Sequence, residues 1–182
     1  MKVELNITAP AFKLKDVFGR VIDLQEYKGR KVMIGFFRHV GCPFCNLRVH
    51  MLTRAHEDLK TQGLEMIFFF ESGEEIILRS IFHQQVHPIP IISDSQKVWY
   101  NTYGLESSAY KVTMSHLTSF LQTAIEARRK SLPIHPMADG ESFNTLPAEF
   151  LLDQNLIIRR LHYSERLNDR LSLEDIYAFA KS

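Results

Sequence analysis

Two near-continuous apolar runs, Lys31-Val32-Met33-Ile34-Gly35-Phe36-Phe37 and Leu64-Glu65-Met66-Ile67-Phe68-Phe69-Phe70, stand on either side of a stretch with helical periodicity. A strand half-exposed to water alternates polar and apolar residues. A strand buried on both faces does not, and it belongs inside a sheet covered by helices. From Pro43 to about Lys60 the apolar positions Leu47, Met51, Leu52, Ala55 and Leu59 recur at helical spacing, and Gln62-Gly63 ends the run. Strand, helix, strand in that order predicts a crossover unit and a mainly parallel core sheet.

The flanking sequence extends this pattern. Ala9–Asp16 reads as a short edge strand that turns at Gly19-Arg20 into Val21–Leu24, with Tyr27–Arg30 a loop. After the second apolar run, the Ser72 to Glu75 spacing is that of a capping box, opening a helix with Ile76, Ile77, Ile81 and Phe82 facing inward. Pro88 and Pro90 precede a short strand near Ile91-Ile92, and Lys97–Tyr103 is a brief helix stopped by Gly104. Residues 105–145 break the rhythm and read as an insertion in a single 1–182 domain. Its first part, about Lys111 to Lys130, is one amphipathic helix with Leu117, Phe120, Leu121, Ala124 and Ile125 on the buried side; Ser131–Asn144 is a loop. Leu146–Asp153 and Leu156–His162 form a hairpin through Gln154-Asn155, and Ser172 caps a last helix that runs through Ala180.

Composition narrows the class. With 182 residues, 45% hydrophobic and 24% charged, the chain suits one soluble domain with a sizeable core. A formal net charge of +1 supplies no field toward nucleic acid or anionic lipid. No apolar stretch approaches the roughly 20 residues of a membrane helix, so no membrane partner is expected. The first six residues are too polar for a secretory signal. Two cysteines cannot build a secreted disulfide framework, and a cytoplasmic location is the expectation.

Those two cysteines carry the chemistry. Cys42-Pro43-Phe44-Cys45 lies between the first apolar run and the helix. Two sulfurs in a helix's first turn are near enough to close a small disulfide ring. The unpaired N–H groups and positive end of the helix stabilise a thiolate there. Pro43 is tolerated because its missing N–H has no intrahelical partner at that position. A free thiol ionises near pH 8.5, and nearby cations lower that value. Arg38 and His39 precede Cys42, and Arg48 follows Cys45 by one turn, from where it projects toward that sulfur. Two cysteines supply half of a structural zinc's four ligands, and the histidines show no ligand spacing, so no metal or cofactor is expected.

The chain also resembles a known superfamily. Ala9-Pro10-x-Phe12-x-Leu14-x-Asp16, with Gly19, Leu24, Tyr27-Lys28-Gly29 and Phe36-Phe37, is similar to the opening of the peroxiredoxins, the alkyl hydroperoxide reductase/thiol-specific antioxidant family. Ile92-Ser93-Asp94 followed by Val98 and Tyr103-Gly104 resembles its middle, and Pro147-x-x-Phe150-Leu151-x-Asp153 its closing strand. The resemblance implies an α/β thioredoxin fold: a central mixed sheet flanked by helices, with a helical insertion before the last hairpin. Laid on the peroxiredoxin pattern Pro-x-x-x-Thr/Ser-x-x-Cys, Cys45 takes the peroxidatic position. Cys42 replaces the hydroxyl residue and Arg38 the proline. The Cys-x-x-Cys pair and Pro147 instead resemble thioredoxin-type proteins. There a cis-proline faces the cysteines and its loop backbone pairs with an extended substrate.

Three readings follow. In thiol–disulfide exchange, Cys42 attacks a disulfide and Cys45 resolves the mixed disulfide. In peroxide reduction, Cys45 is oxidised to a sulfenic acid and Cys42 condenses with it. The third is a redox-inert interaction module. The first two imply a peroxide or protein-disulfide substrate and an external thiol reductant, thioredoxin-like or glutathione. A homodimer is expected by analogy with peroxiredoxin bodies.

Overall fold

The computed structural model describes residues 2–138 and 140–182, with the backbone alone at Ile81; the inward side chain expected of Ile81 lies outside the described set. An antiparallel pair, β1 (Lys13–Lys15) and β2 (Val21–Asp23), precedes a five-stranded sheet. The sheet consists of β3 (Lys31–Phe36), β4 (Leu64–Phe70), β5 (Ile91–Ser93), β6 (Ala148–Leu152) and β7 (Ile158–Tyr163), in the order β5-β4-β3-β6-β7. β3–β4 and β4–β5 are parallel, while β3–β6 and β6–β7 are antiparallel. The sheet is therefore mixed, with the apolar β3 at its centre.

Side-chain alternation divides the core in two. Met33, Met66, Phe68, Phe70 and Leu151 face one layer with Val49, Leu52 and Leu59 of α1 (Pro43–Thr61) and Ile176 of α6 (Leu173–Lys181). Val32, Ile34, Phe36, Phe69, Phe150 and Leu152 face the other, with Phe12, Tyr100 and Tyr103. Tyr100 belongs to α4 (Val98–Thr102), whose first N–H groups at Val98, Trp99 and Tyr100 all donate to the Asp94 carboxylate. This two-sided burial is why both apolar runs lack alternation.

Two local expectations change. Ser72 does not cap α2 (Glu74–Arg79); Gly73 is the N-cap, without a side-chain hydrogen bond. Ser72 is fully buried, and its hydroxyl accepts from Val40 N and donates to Glu141. The inserted loop has claimed the hydroxyl that a capping box needs. The helix also breaks at Ser80, and α3 (Ile81–Gln84) follows.

The second correction is the buried face of α5 (Ala109–Arg129). Leu117 is 76% exposed, Leu121 74% and Ile125 53%, while Val112, Ser115 and Ala127 are buried. The helix lies beside α1 on a narrow seam of small residues. Ser115 supports that seam by accepting from Leu167 N while donating to Lys111 O. Phe120, 38% exposed, lies against His116 of the same helix with its ring 6.5 Å from that of Phe44 in α1. Among the described residues, no helix is long and apolar enough to cross a membrane.

Candidate redox site

β3 ends at Phe36, and the chain turns through 37–42 into α1, with Cys42 as N-cap and Pro43 in the first turn. Asn46 stiffens the turn by donating to Val40 O at 2.7 Å. Cys42 and Cys45 are free thiols, 1% and 0% exposed. Arg38 brackets them: its backbone N–H points at Cys45 Sγ (3.4 Å), and its guanidinium Nη1 at Cys42 Sγ (3.6 Å).

The two sulfurs are electrostatically unlike. Burial raises the pKa of the Cys42 thiol. A hydrogen bond from the Cys45 thiol, the Arg38 charge, the Cys45 backbone N–H and the Arg170 charge outweigh it, and Cys42 falls to about 6. Burial, together with the hydrogen bond it gives and the negative charge on Cys42, drives Cys45 well above an ordinary thiol. One thiolate shared between two sulfurs and settled on Cys42 is the favoured reduced state.

The other expected site residues separate. Arg38 is 1% exposed and acts on both sulfurs. His39 contributes no charge: burial, then Arg38 and His116, lower it to about 3, so the imidazole is neutral. Its Nδ1 lies 3.7 Å from Glu141 Oε2, a contact between a neutral ring and a carboxylate. Arg48 does not reach Cys45. Its guanidinium forks onto Glu149 (2.7 and 2.8 Å) and donates to Leu171 O. The expected cation arrives instead as Arg170, 7% exposed and 3.8 Å from the same carboxylate.

Pro147 leads into β6, as expected, and is buried, but its peptide bond is trans where the resemblance implied cis; among the described residues the cis bond is His87–Pro88. The insertion holds this segment extended. Ser107 bridges Thr145, and Leu146 N donates to Glu106 O, so the chain runs straight into β6.

Sequence reasoning missed Glu149 and Arg170. Glu149 had a signal: it is the one ionisable residue within Ala148-Glu149-Phe150-Leu151-Leu152, a strand otherwise apolar. A charge there demands a buried partner. Arg170 sits in an irregular polar segment and had none.

The sulfurs therefore form a pair at the start of a helix with one ionised member, suited to nucleophilic attack on sulfur or oxygen. The model of the AhpC/TSA family matches residues 5–161. The chain belongs to the AhpC/TSA family. Its relatives include thiol-disulfide oxidoreductase ResA of Bacillus thuringiensis, 25% identical over 104 residues, 57% of this chain and 60% of that one. Peroxiredoxin Q of Oryza sativa subsp. japonica is 30% identical over 94 residues, 51% of this chain and 42% of that one. The chain thus spans about three-fifths or less of the length of these curated relatives. Among solved structures, one described as thiol:disulfide interchange protein DsbE from Chlorobium tepidum superposes with a TM-score of 0.67 at 17% identity, over the full length of both chains. Peroxidoxin BcpB of Mycobacterium tuberculosis gives 0.67 at 12% identity, over 97% of this chain and 96% of that one. These likenesses establish the thioredoxin fold for this AhpC/TSA protein.

Proposed function

We propose that this AhpC/TSA protein is a thiol–disulfide oxidoreductase in which Cys42 attacks and Cys45 resolves. The observation that carries the reading is the inequality of the sulfurs: the thiolate rests on Cys42, at the helix N-cap, while Cys45 is buried and protonated beneath it. The Cys42 thiolate displaces one sulfur of a substrate disulfide, giving a mixed disulfide and one released thiolate. Burial still favours the Cys45 thiol, but loss of the Cys42 charge removes the hydrogen bond and the repulsion that raised it further. Cys45 deprotonates, attacks Cys42 Sγ and expels the second thiolate. The two expelled thiolates take up protons, the substrate gains two electrons and the Cys42–Cys45 disulfide forms. An external thiol, thioredoxin-like or glutathione, returns the pair to the reduced state. A reducing compartment such as the cytoplasm suits this cycle.

Peroxide reduction is the second reading, favoured by the narrow opening above Cys42, a pocket of about 180 Å³ that admits a hydroperoxide. The raised Cys45 thiol weighs against its peroxidatic role. Rapid mixing distinguishes the two. The reduced protein is expected to reduce hydroxyethyl disulfide far faster than free cysteine does, and to react with hydrogen peroxide no faster than free cysteine. A fast peroxide reaction would reverse the order of the two readings.

Iodoacetamide alkylation against pH reports the attacking sulfur. Cys42 is expected to titrate with a midpoint near 6, its rate flat above and falling below, while Cys45 stays unreactive over the same range. Arg38→Met removes the largest cationic contribution and is expected to move the midpoint up by about 1 unit. An unchanged midpoint would show that Arg38 does not set the thiolate.

A further inference from the structure

The insertion does more than pack beside α1. Beyond α5 it runs across the top of the cysteine turn as a strap, residues 132–138 and 140–145. Apolar anchoring is slight: of the stretch 132–138, only Leu132 is buried. Polar fastenings hold it instead. Asn46 Nδ2 donates to Pro133 O at 2.7 Å, and His135 N to Gly41 O at 3.3 Å. Glu141 accepts from Ala138 N (2.7 Å) and from Ser72 Oγ. Arg38 Nη2 donates to Phe143 O at 2.8 Å, and Thr145 Oγ1 to Glu71 Oε2 at 2.8 Å.

Asn46, Glu71 and Ser72 are each fully buried. Buried polar groups are costly unless bonded, and the exchange chemistry assigns none of these three a task. Asn46 and Ser72 also bond Val40 of the cysteine turn and Glu71 pairs with Lys97, and the partner that all three share is the strap. It leaves above Cys42 a pocket of about 180 Å³, walled by Phe120, Ile134, Pro136, Met137 and Phe143. That is below the ~300 Å³ at which pockets begin to enclose drug-sized ligands, and far too small for a polypeptide loop. The backbone beside Pro147, where an extended peptide would dock, is already taken by the Ser107–Thr145 bridge and the Leu146–Glu106 bond.

We infer that the strap is the specificity determinant of the dithiol, restricting it to low-molecular-weight disulfides and, in the return half-reaction, low-molecular-weight thiols. The inference rests on the exchange reading. A small disulfide presents its sulfurs through the pocket and is cleaved by the two displacements already given. A protein disulfide reaches Cys42 Sγ only after the fastenings part.

The test compares hydroxyethyl disulfide with insulin, whose disulfides are borne on folded polypeptide, using the full reduced chain and two variants. Glu141→Ala removes the Ala138 and Ser72 fastenings. Gly41→Ala places a Cβ against the His135 carbonyl oxygen, a backbone atom that must shift. The wild type is expected to reduce hydroxyethyl disulfide at least ~100-fold faster than insulin. Each variant is expected to raise the insulin rate by ~10-fold, the change in open population on losing one or two buried hydrogen bonds. In Glu141→Ala the hydroxyethyl disulfide rate stays within ~2-fold. Faster hydrogen exchange confined to the strap separates loosening from unfolding. Comparable wild-type rates on both probes, or loosened variants with insulin rates unchanged, would overturn the inference while leaving the exchange reading intact. A wild type inert toward both probes would overturn the exchange reading and the inference together.

Discussion

Glu149→Ala is expected to lower the unfolding free energy by about 3–5 kcal/mol, the cost of removing one partner from a buried ion pair. The carboxylate is fully buried and accepts from Arg48 Nε, Arg48 Nη2 and Leu171 N, with Arg170 Nε 3.8 Å away. Deleting it leaves two guanidinium groups, 5% and 7% exposed, without their counter-ion. Glu149→Gln keeps the shape and some of the hydrogen bonds and is expected to cost less. The double replacement Glu149→Leu with Arg48→Met removes both charges of the tightest pair and is expected to recover much of the loss. Urea unfolding of the four proteins measures the series. A Glu149→Ala midpoint equal to wild type would mean that this pair is solvated and holds little.

Exchanging either cysteine for serine should have an effect of a different kind. Cys42→Ser is expected to lose disulfide reduction by ~10³-fold or more, because it removes the nucleophile itself. The remaining Cys45 thiol is buried, and the neighbour that received its hydrogen bond has become a hydroxyl. Cys45→Ser is expected to react once and stop. Its Cys42 still attacks, but nothing resolves the product, so a mixed disulfide accumulates and intact-mass spectrometry reads one substrate half added per chain. The Cys42 midpoint in this variant should also rise, since the Cys45 thiol that lowers it is gone. The opposite pattern, an adduct on Cys45 in Cys42→Ser and an inert Cys45→Ser, would exchange the two roles.

What the sequence showed depended on how local the cause was. β3 and β4 were legible because two-sided burial leaves its mark in every residue of the strand, and α1 because Pro43 and Gly63 punctuate it. The cysteine pair was legible because its chemistry needs only adjacent residues and a helix start. The charges around it were not. Arg48 had the right spacing to reach Cys45, but Glu149, about a hundred residues later, captured it first. Arg170 bears on the sulfurs through its charge, from a tertiary position that no spacing records. His39 looked cationic by type, yet burial beside Arg38 keeps it neutral. The α5 face failed for a related reason. Periodicity finds where large apolar residues line up, and here the helix packs through Val112, Ser115 and Ala127 and turns Leu117 and Leu121 outward. Ser72 satisfied a capping pattern and was diverted by the strap. Each miss is a long-range partner overriding a local preference.

The central position of β3 bears on the order in which this molecule comes apart. β3 is hydrogen-bonded on both sides, to β4 and β6, and every one of its residues is buried. Its amides should exchange with deuterium only through global denaturation, whereas those of residues 132–138, anchored by a handful of polar links, should exchange through small local fluctuations. The sulfur pair hangs from the most durable part of the architecture and is roofed by one of the least durable. The roof can lift and settle many times within the life of one folded molecule without disturbing the alignment of the two thiols below.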